Sequence, residues 1–221
     1  MTEYPKITST MRVLVACEFS GAVRDAFMDT GIWAFSCDIL PGEGKYPKHH
    51  HQCDVRELFQ GRIAHSMALE GQQPAWDLMI AHPPCTYLAS SGARWWPKRQ
   101  AEQKAALEFV EWLMDCPVPR IAIENPIGII STRIMKPAQI IQPYQFGHPE
   151  WKSTCLWLNN LPLLKPTNVV QPDMHVGGGK RPGRISSRLH RLGPGPERQR
   201  ERSRTYSGIA NAMAAQWAIT G

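Results

Sequence analysis

A cysteine and a glutamate follow two successive apolar stretches of this sequence. Cys85 comes after residues 77–81 and the intervening His82-Pro83-Pro84, and Glu124-Asn125 comes directly after residues 121–123. A thiolate is a strong nucleophile, and a carboxyl group in a partly dry site can deliver or accept a proton. The two side chains are therefore candidates for nucleophilic and acid–base chemistry, provided that the fold brings them together.

Earlier apolar stretches also end in residues that could bind a ligand. The turn Glu18-Phe19-Ser20-Gly21 follows the first stretch, Asp38 ends the second, and Asp54 follows a short third candidate. Ligands of parallel α/β sheets bind outside the carboxyl ends of the strands, so these side chains are expected to converge on one edge. Each has an ordinary explanation alone, since an acid can cap a helix and a cysteine can fill a core. The argument rests on their occurrence together and in order.

The elements that would position these residues alternate between strands and helices. This alternation predicts an α/β fold with a Rossmann-like, mostly parallel sheet covered by helices on both faces. The predicted strands are residues 13–17, 33–39, 54–55, 77–81, 121–123 and 154–158. The predicted helices are 20–29, with Ser20 as its cap, 58–69, 99–114 and 208–217, and residues 41–52 are predicted to form a loop.

Composition restricts the class of protein. The 221 residues are 43% hydrophobic, which is enough for a packed core. No stretch approaches the roughly 20 apolar residues of a membrane helix, and the first residues carry no secretory signal, so a cytoplasmic protein is predicted. The six cysteines form no CxxC pair, and the group His49–His51 with Cys53 lacks a second ligand pair, so no metal site is expected.

Positive charge is concentrated in one segment. Nine Lys and Arg residues but only two acids lie between Val176 and Arg204, in a chain of net charge +6. Such a segment favours contact with nucleic-acid phosphates, although a solvated loop would have the same composition. The candidate phosphate-binding residues are Lys180, Arg181, Arg184, Arg188, Arg191, Arg198, Arg200, Arg202 and Arg204.

Several of these motifs resemble the cytosine-5 DNA methyltransferase family, especially its small phage and prophage members. Pro83-Pro84-Cys85 and Glu124-Asn125 match the family's two central motifs in order, and Phe19 and Gly21 match its first turn. The block 146–154 is similar to a later motif, with Lys152 in place of an arginine. A Gly-Asn pair near the start of the family's closing helix has a counterpart in residues 208–213. The resemblance covers most of the chain from Met11 to Gly221.

The resemblance implies transfer of a methyl group from S-adenosylmethionine to carbon 5 of cytosine in DNA. Cys85 would add to carbon 6 of the ring, and Glu124, its pKa raised by burial, would protonate ring nitrogen 3. Asn125 would hold the loop geometry, and Lys152 would contact the base or a phosphate. Phe19 would lie against the cofactor, with Asp38 at the ribose and Asp54 at the adenine. The complete implied cofactor set is Glu18, Phe19, Ser20, Gly21, Asp38, Ile39, Asp54, Val55, His82, Pro83, Asn211 and Ala212.

The resemblance also divides the chain. Residues 1–10 would be a tail, 11–162 the catalytic domain, 163–205 a basic Gly/Pro/Arg-rich region in place of a target recognition domain, and 206–221 a closing helix. Weak sequence specificity follows from so short a region. Two alternatives stay open: a cytosine methyltransferase that acts on a free nucleotide or on RNA, and a non-catalytic DNA-binding or anti-restriction decoy on the same fold. A modified cofactor that delivers a larger group also stays open.

Overall fold

The computed structural model describes residues 4–60, 76–173, 195 and 203–218. The strands are β1 (Arg12–Ala16), β2 (Trp33–Asp38), β3 (His50–Gln52), β4 (Leu78–Ala81), β5 (Ile121–Pro126), β6 (Gln139–Ile141) and β7 (Thr154–Asn159). The α-helices are α1 (Ala22–Asp29), α2 (Val55–Phe59), α3 (Gln100–Met114), α4 (Ile130–Arg133) and α5 (Ser207–Trp217). Short 3₁₀ helices cover Pro47–His49, Ser90–Lys98 and Pro143–Gln145.

The strands of the described residues form one seven-stranded sheet in the order β3-β2-β1-β4-β5-β7-β6. Neighbouring strands from β3 to β5 are parallel, whereas β7 is antiparallel to both β5 and β6. The predicted α/β class is confirmed, and the sheet is mixed because β7 is reversed. The chain leaves β1 toward β2 and leaves β4 toward β5, in opposite directions across the sheet. The crevice between β1 and β4 is therefore a topological switch point, where ligands of such sheets bind.

Strand β1 is buried on both faces, as is typical of a central parallel strand. Val13 and Val15 belong to one core, and Leu14 and Ala16 to the other. Helices α1 and α5 cover the first core through Val23, Phe27, Met213 and Trp217. Helices α2 and α3 cover the second through Val55, Leu58, Val110 and Leu113. The prediction of helices on both faces is confirmed.

The third strand lies earlier than the sequence suggested. It is His50–Gln52, inside the region predicted to be a loop, because these polar residues carry no apolar pattern yet pair with β2. The predicted strand at 54–55 is wrong because Asp54 caps α2, accepting a bond from the Arg56 N–H at 3.0 Å. Glu57 completes a capping box with the Asp54 N–H at 3.3 Å. Helix α2 begins three residues before the predicted start at 58, and residues 61–69 of that prediction lie outside the described residues.

The cap of helix α1 also differs from the prediction. Its first turn is preceded by Gly21, at φ 72° in the left-handed region, and not by Ser20. This turn places the Glu18 carboxylate over the helix start, where it accepts bonds from the N–H groups of Val23 at 2.7 Å and Arg24 at 3.3 Å. A negative charge is favourable at this end of a helix, so Glu18 supplies the cap that Ser20 was expected to supply.

Strand β5 is longer than predicted. It extends beyond residue 123 through Glu124 and Asn125 to Pro126, because β7 pairs with it residue by residue as far as Pro126. Helix α3 starts and ends as predicted to within one residue. Among the described residues, no helix has the length and apolar character needed to cross a membrane.

Candidate active site

A cavity of about 360 Å³ opens at the carboxyl ends of β1, β2, β4 and β5. We refer to it as the strand-end cavity. It brings together the predicted site residues Phe19, Asp38, Ile39, His82, Pro83, Cys85, Glu124, Asn125, Lys152 and Arg204. Its lining also includes Cys17, Leu40, Pro84, Pro126, Ser203 and Thr205, which were not predicted.

The loop after β4 holds Cys85 at this cavity. The Cys85 carbonyl accepts bonds from the N–H groups of Leu88 at 3.1 Å and Ala89 at 2.9 Å, which closes a turn. The Asn125 side-chain amide donates to the Pro83 carbonyl at 2.7 Å and so joins this loop to the end of β5. Asn125 is buried, and its Oδ1 has no hydrogen-bond partner within the described part of the chain. The position of the thiol therefore depends on β5 as well as on β4.

His82 and Glu124 form a close pair beneath the thiol loop. Nδ1 of His82 lies 3.2 Å from Oε2 of Glu124, and the two side chains are only 8% and 16% exposed. Burial alone would raise the pKa of Glu124, but the bond and charge of His82 and the charge of Lys152 lower it below its ordinary value. The prediction that burial would raise the Glu124 pKa is wrong, because the sequence does not show that His82 faces Glu124.

The same contact acts on the histidine in the opposite sense. Burial lowers the pKa of His82, but the bond and charge of Glu124, together with the charge of Glu18, raise it above its ordinary value. Each group of the pair thus favours the charged form of the other. His82 was predicted only as a cofactor-binding residue, and no sequence signal marked it as a partner of Glu124.

Three residues of the turn before α1, namely Glu18, Ser20 and Gly21, do not line the strand-end cavity, whereas Phe19 does. Glu18 is 4% exposed and caps the helix, and burial raises its pKa. Ser20 is buried beside it. A Cβ on Gly21 would lie 2.2 Å from Nη2 of Arg24, so this glycine serves packing as well as the turn. These three residues, which were predicted to bind the cofactor, therefore support the turn and the start of α1 instead of lining the cavity.

Of the remaining residues predicted to bind the cofactor, some line the strand-end cavity and others do not. Asp38 lines the cavity and accepts a bond from the Leu40 N–H at 2.9 Å, and burial raises its pKa. Asp54, in contrast, is committed to capping α2 and to an ion pair with Arg56. Val55 and Ala212 are buried in the two cores, and Asn211 is exposed on α5. None of the last four lines the cavity.

A buried guanidinium that the sequence analysis missed organises the loop after β2. Arg24 is fully buried and donates to Ser36 Oγ at 2.9 Å and to the Glu43 carbonyl at 2.7 Å. Glu43 in turn forms an ion pair with Arg204, whose guanidinium lies 5.6 Å from the centre of the Phe19 ring. The sequence feature that could have indicated a buried Arg24 is its position on the apolar face of an amphipathic helix.

Two cations reach the cavity. Lys152 places its Nζ 5.5 Å from the centre of the Tyr206 ring, and its charge acts on Glu124 and His82. Arg204 is the one member of the predicted phosphate-binding set that the structure describes, and it pairs with Glu43. Lys180, Arg181, Arg184, Arg188, Arg191, Arg198, Arg200 and Arg202 lie outside the described residues.

Cys17 is the least expected residue of the lining. Its backbone has φ 58°, in the left-handed region that non-glycine residues rarely adopt. Burial and the charges of Asp38 and Asp54 raise the pKa of its thiol far above the ordinary value, so it is a poor competitor of Cys85 as nucleophile.

The histidine cluster has a packing role. The rings of His49 and His51 lie against Phe35, and His50 bonds to Ser36 at 2.9 Å and to the Leu40 carbonyl at 3.0 Å. Among the described residues, no group of three or more His, Cys, Asp or Glu side chains is arranged to hold a metal ion.

Comparison with known proteins gives one distant structural match of note. No protein-family profile and no curated protein matches the sequence. A prophage-encoded E. coli protein provisionally described as a DNA modification methyltransferase aligns with a TM-score of 0.46 and 13% identity. The alignment covers 73% of this chain and 52% of that protein, so this chain spans about half of its length.

Proposed function

We propose that this protein transfers a methyl group from S-adenosylmethionine to carbon 5 of cytosine in DNA, with Cys85 as the covalent nucleophile. One observation carries the proposal: Cys85 and Glu124 line the same cavity from the ends of adjacent parallel strands, and Asn125 ties their two loops together. A core cysteine or a capping carboxylate would need neither this cavity nor this link.

The topology supports the proposal. The cavity lies at the switch point between β1 and β4, the position at which open α/β sheets bind nucleotide-like ligands. We therefore interpret the domain as a class I S-adenosylmethionine-dependent methyltransferase fold.

The residues at one end of the cavity fit the proposed cofactor. Asp38 offers a carboxylate for hydroxyl groups of a ribose, and the adjoining Ile39 is 71% exposed, which gives an adenine ring an apolar surface to cover. Phe19 adds an aromatic face. When bound there, S-adenosylmethionine would supply an electrophilic methyl group.

The chemistry of the chain's own residues follows from their placement. The Cys85 thiolate would form a bond to carbon 6 of the cytosine ring, which moves electron density toward ring nitrogen 3 and makes carbon 5 nucleophilic. Glu124 would pass a proton to nitrogen 3 as this charge develops, and Lys152 would stabilise it electrostatically. After transfer, water or another base would take the proton from carbon 5, and the electron pair of that bond would expel the sulfur, which releases the methylated base and restores the Cys85 thiolate.

We further propose that the substrate is DNA from which the cytosine is flipped. Cys85 lies in a recess at the ends of the strands, so a cytosine of a duplex would have to leave the base stack to reach it. The basic residues between Lys180 and Arg202 would hold phosphates, which gives affinity without sequence readout. Weak sequence specificity is the consequence.

Trapping with 5-fluorocytosine tests the proposal. Fluorine cannot leave carbon 5 as a proton does, so wild-type protein with S-adenosylmethionine should form a stable adduct with 5-fluorocytosine DNA, detectable by denaturing electrophoresis and mass spectrometry. Cys85→Ser should form none, whereas Cys53→Ser, which changes a thiol that does not line the cavity, should form it normally. Parallel assays with RNA and with the free nucleotide distinguish the substrate classes. An adduct on another cysteine, or none on any substrate, contradicts the proposal.

A further inference from the structure

We propose that His82 is a positioning residue that holds the proton which Glu124 passes to the substrate, so that the two side chains work as a relay. This inference rests on the proposed function and extends it by naming the source of the proton.

Geometry fixes the two groups for proton exchange. Nδ1 of His82 lies 3.2 Å from Oε2 of Glu124, and neither side chain is more than 16% exposed. The backbone N–H of His82 donates to the Ala16 carbonyl at 2.9 Å, which anchors the residue between β1 and β4. Both side chains also line the strand-end cavity, so a proton can pass from the imidazole to Glu124 and from Glu124 to a ligand in the cavity.

A second buried carboxylate favours the charged form of the imidazole. Glu18 is held over the start of α1 by two backbone N–H groups, and its charge acts on His82 from the side of β1. Among the described residues, the charges of Glu124, Glu18 and Asp38 favour the protonated form of His82, and the charge of Lys152 opposes it. The Arg24 guanidinium acts in turn on Glu18. A protonated His82 neutralises part of this negative charge.

The Nε2 atom of His82 supports a role beyond packing. It is buried and has no hydrogen-bond partner among the residues that the structure describes. An unpaired buried polar group destabilises the fold. Nδ1 of His49, which packs on Phe35, is also unpaired among the described residues, so what distinguishes His82 is that its ring lies at the strand-end cavity beside Glu124. Here only the nitrogen that faces Glu124 is used.

The relay solves a problem that the ion pair creates. The contact at 3.2 Å favours the carboxylate form of Glu124, and a carboxylate has no proton of its own to deliver. As the Cys85 sulfur bonds to carbon 6, a proton would move from Nδ1 of His82 to Glu124 and from Glu124 to ring nitrogen 3, which leaves a neutral imidazole. When the bond to sulfur breaks, the proton would return along the same path, so the pair ends the cycle unchanged.

The test combines nuclear magnetic resonance with kinetics on the full chain. In the wild type without ligand, the labelled imidazole of His82 should titrate above the ordinary range of histidine, and Glu124→Gln should move this titration down. Methyl transfer to DNA should fall as the pH rises through the His82 titration, because the protonated form is the active one. His82→Gln should lose this alkaline decline and slow transfer about 10–100-fold with unchanged DNA affinity.

Each outcome decides one question. A neutral His82 at pH 7, or a His82→Gln protein with the wild-type rate and pH profile, overturns the relay. If His82→Gln fails to fold, His82→Asn and the wild-type titration still decide it. A wild-type protein that forms no 5-fluorocytosine adduct contradicts the proposed function instead, and the titration then shows independently whether the ion pair exists.

Discussion

Two cavities of nearly equal volume lie along strand β5. The strand-end cavity, of about 360 Å³, takes Glu124, Asn125 and Pro126 from the end of the strand. A second cavity of about 390 Å³ takes Ile121 and Ile123 from its beginning, and we refer to it as the apolar cavity. Its lining is completed by Met114, Met135, Lys136, Ala138, Trp157, Leu158 and Asn159.

The two cavities differ in whether buried polar atoms at their walls have hydrogen-bond partners. At the strand-end cavity, His82 Nε2 and Asn125 Oδ1 are buried without a hydrogen-bond partner among the described residues. At the apolar cavity the one buried indole N–H, that of Trp157, donates to the Met135 carbonyl at 2.7 Å. Unpaired buried polar groups are costly and persist mainly where a ligand uses them. Of these two cavities, side-chain chemistry and not volume favours the strand-end cavity as the functional one.

Of the changes considered at the two cavities, Glu124→Gln is expected to have the largest effect on the rate of methyl transfer. This change keeps the shape of the side chain but removes the negative charge that fixes the His82 proton, so methyl transfer should fall about 10²–10⁴-fold. Radiolabelled methyl transfer to DNA measures the effect, and Glu108→Gln, on the exposed face of α3, is the matched control. An unchanged rate of methyl transfer would show that the Glu124 carboxylate is not needed for the reaction, and the chemical argument for the strand-end cavity would fail.

The complementary change is Ile123→Ala in the apolar cavity. Ile123 is 1% exposed, and its truncation should lower the free energy of unfolding by about 2–5 kcal/mol. Chemical denaturation measures the loss, and methyl transfer per folded molecule should stay near wild type. Ile140→Ala, at a side chain that is 51% exposed, should cost less than about 0.5 kcal/mol. Loss of activity without loss of stability would show that the apolar cavity takes part in the chemistry.

A change at Asn125 should affect both the stability of the fold and the formation of the 5-fluorocytosine adduct. Asn125→Asp replaces the donor to the Pro83 carbonyl with a charged acceptor in a buried position, which should cost about 1–3 kcal/mol and displace the Cys85 loop. Asn160→Asp is a matched control, because Asn160 also donates to a proline carbonyl, that of Pro119 at 2.9 Å, but is exposed. Thermal unfolding and 5-fluorocytosine trapping measure the two effects. Equal behaviour of both variants would show that the bond has no special role at the strand-end cavity.

The sequence was informative at the ends of β4 and β5, where apolar runs are followed by residues that could act as a nucleophile or an acid. Cys85, Glu124 and Asn125 meet as expected because parallel strands bring their carboxyl ends to one edge. The sequence could not show β3, since His50–Gln52 owes its conformation to pairing with β2 rather than to its own pattern. It also could not show the direction of the Glu124 pKa, which depends on His82, a residue 42 positions away in the chain. Contacts between distant residues determine these features.

The smallest effect is expected at the cations of the two cavities. Arg204 was predicted to bind phosphate, but its guanidinium is already paired with Glu43 and lies over Phe19. Arg204→Ala should therefore cost at most about 1 kcal/mol of stability. It should also leave the salt dependence of DNA binding unchanged, whereas loss of a phosphate contact would lower the slope by about one. Lys136→Met, at the exposed cation of the apolar cavity, should alter neither quantity. A reduced slope in Arg204→Ala alone would mean that DNA displaces Glu43 from Arg204, and the strand-end cavity would then contact the phosphate backbone directly.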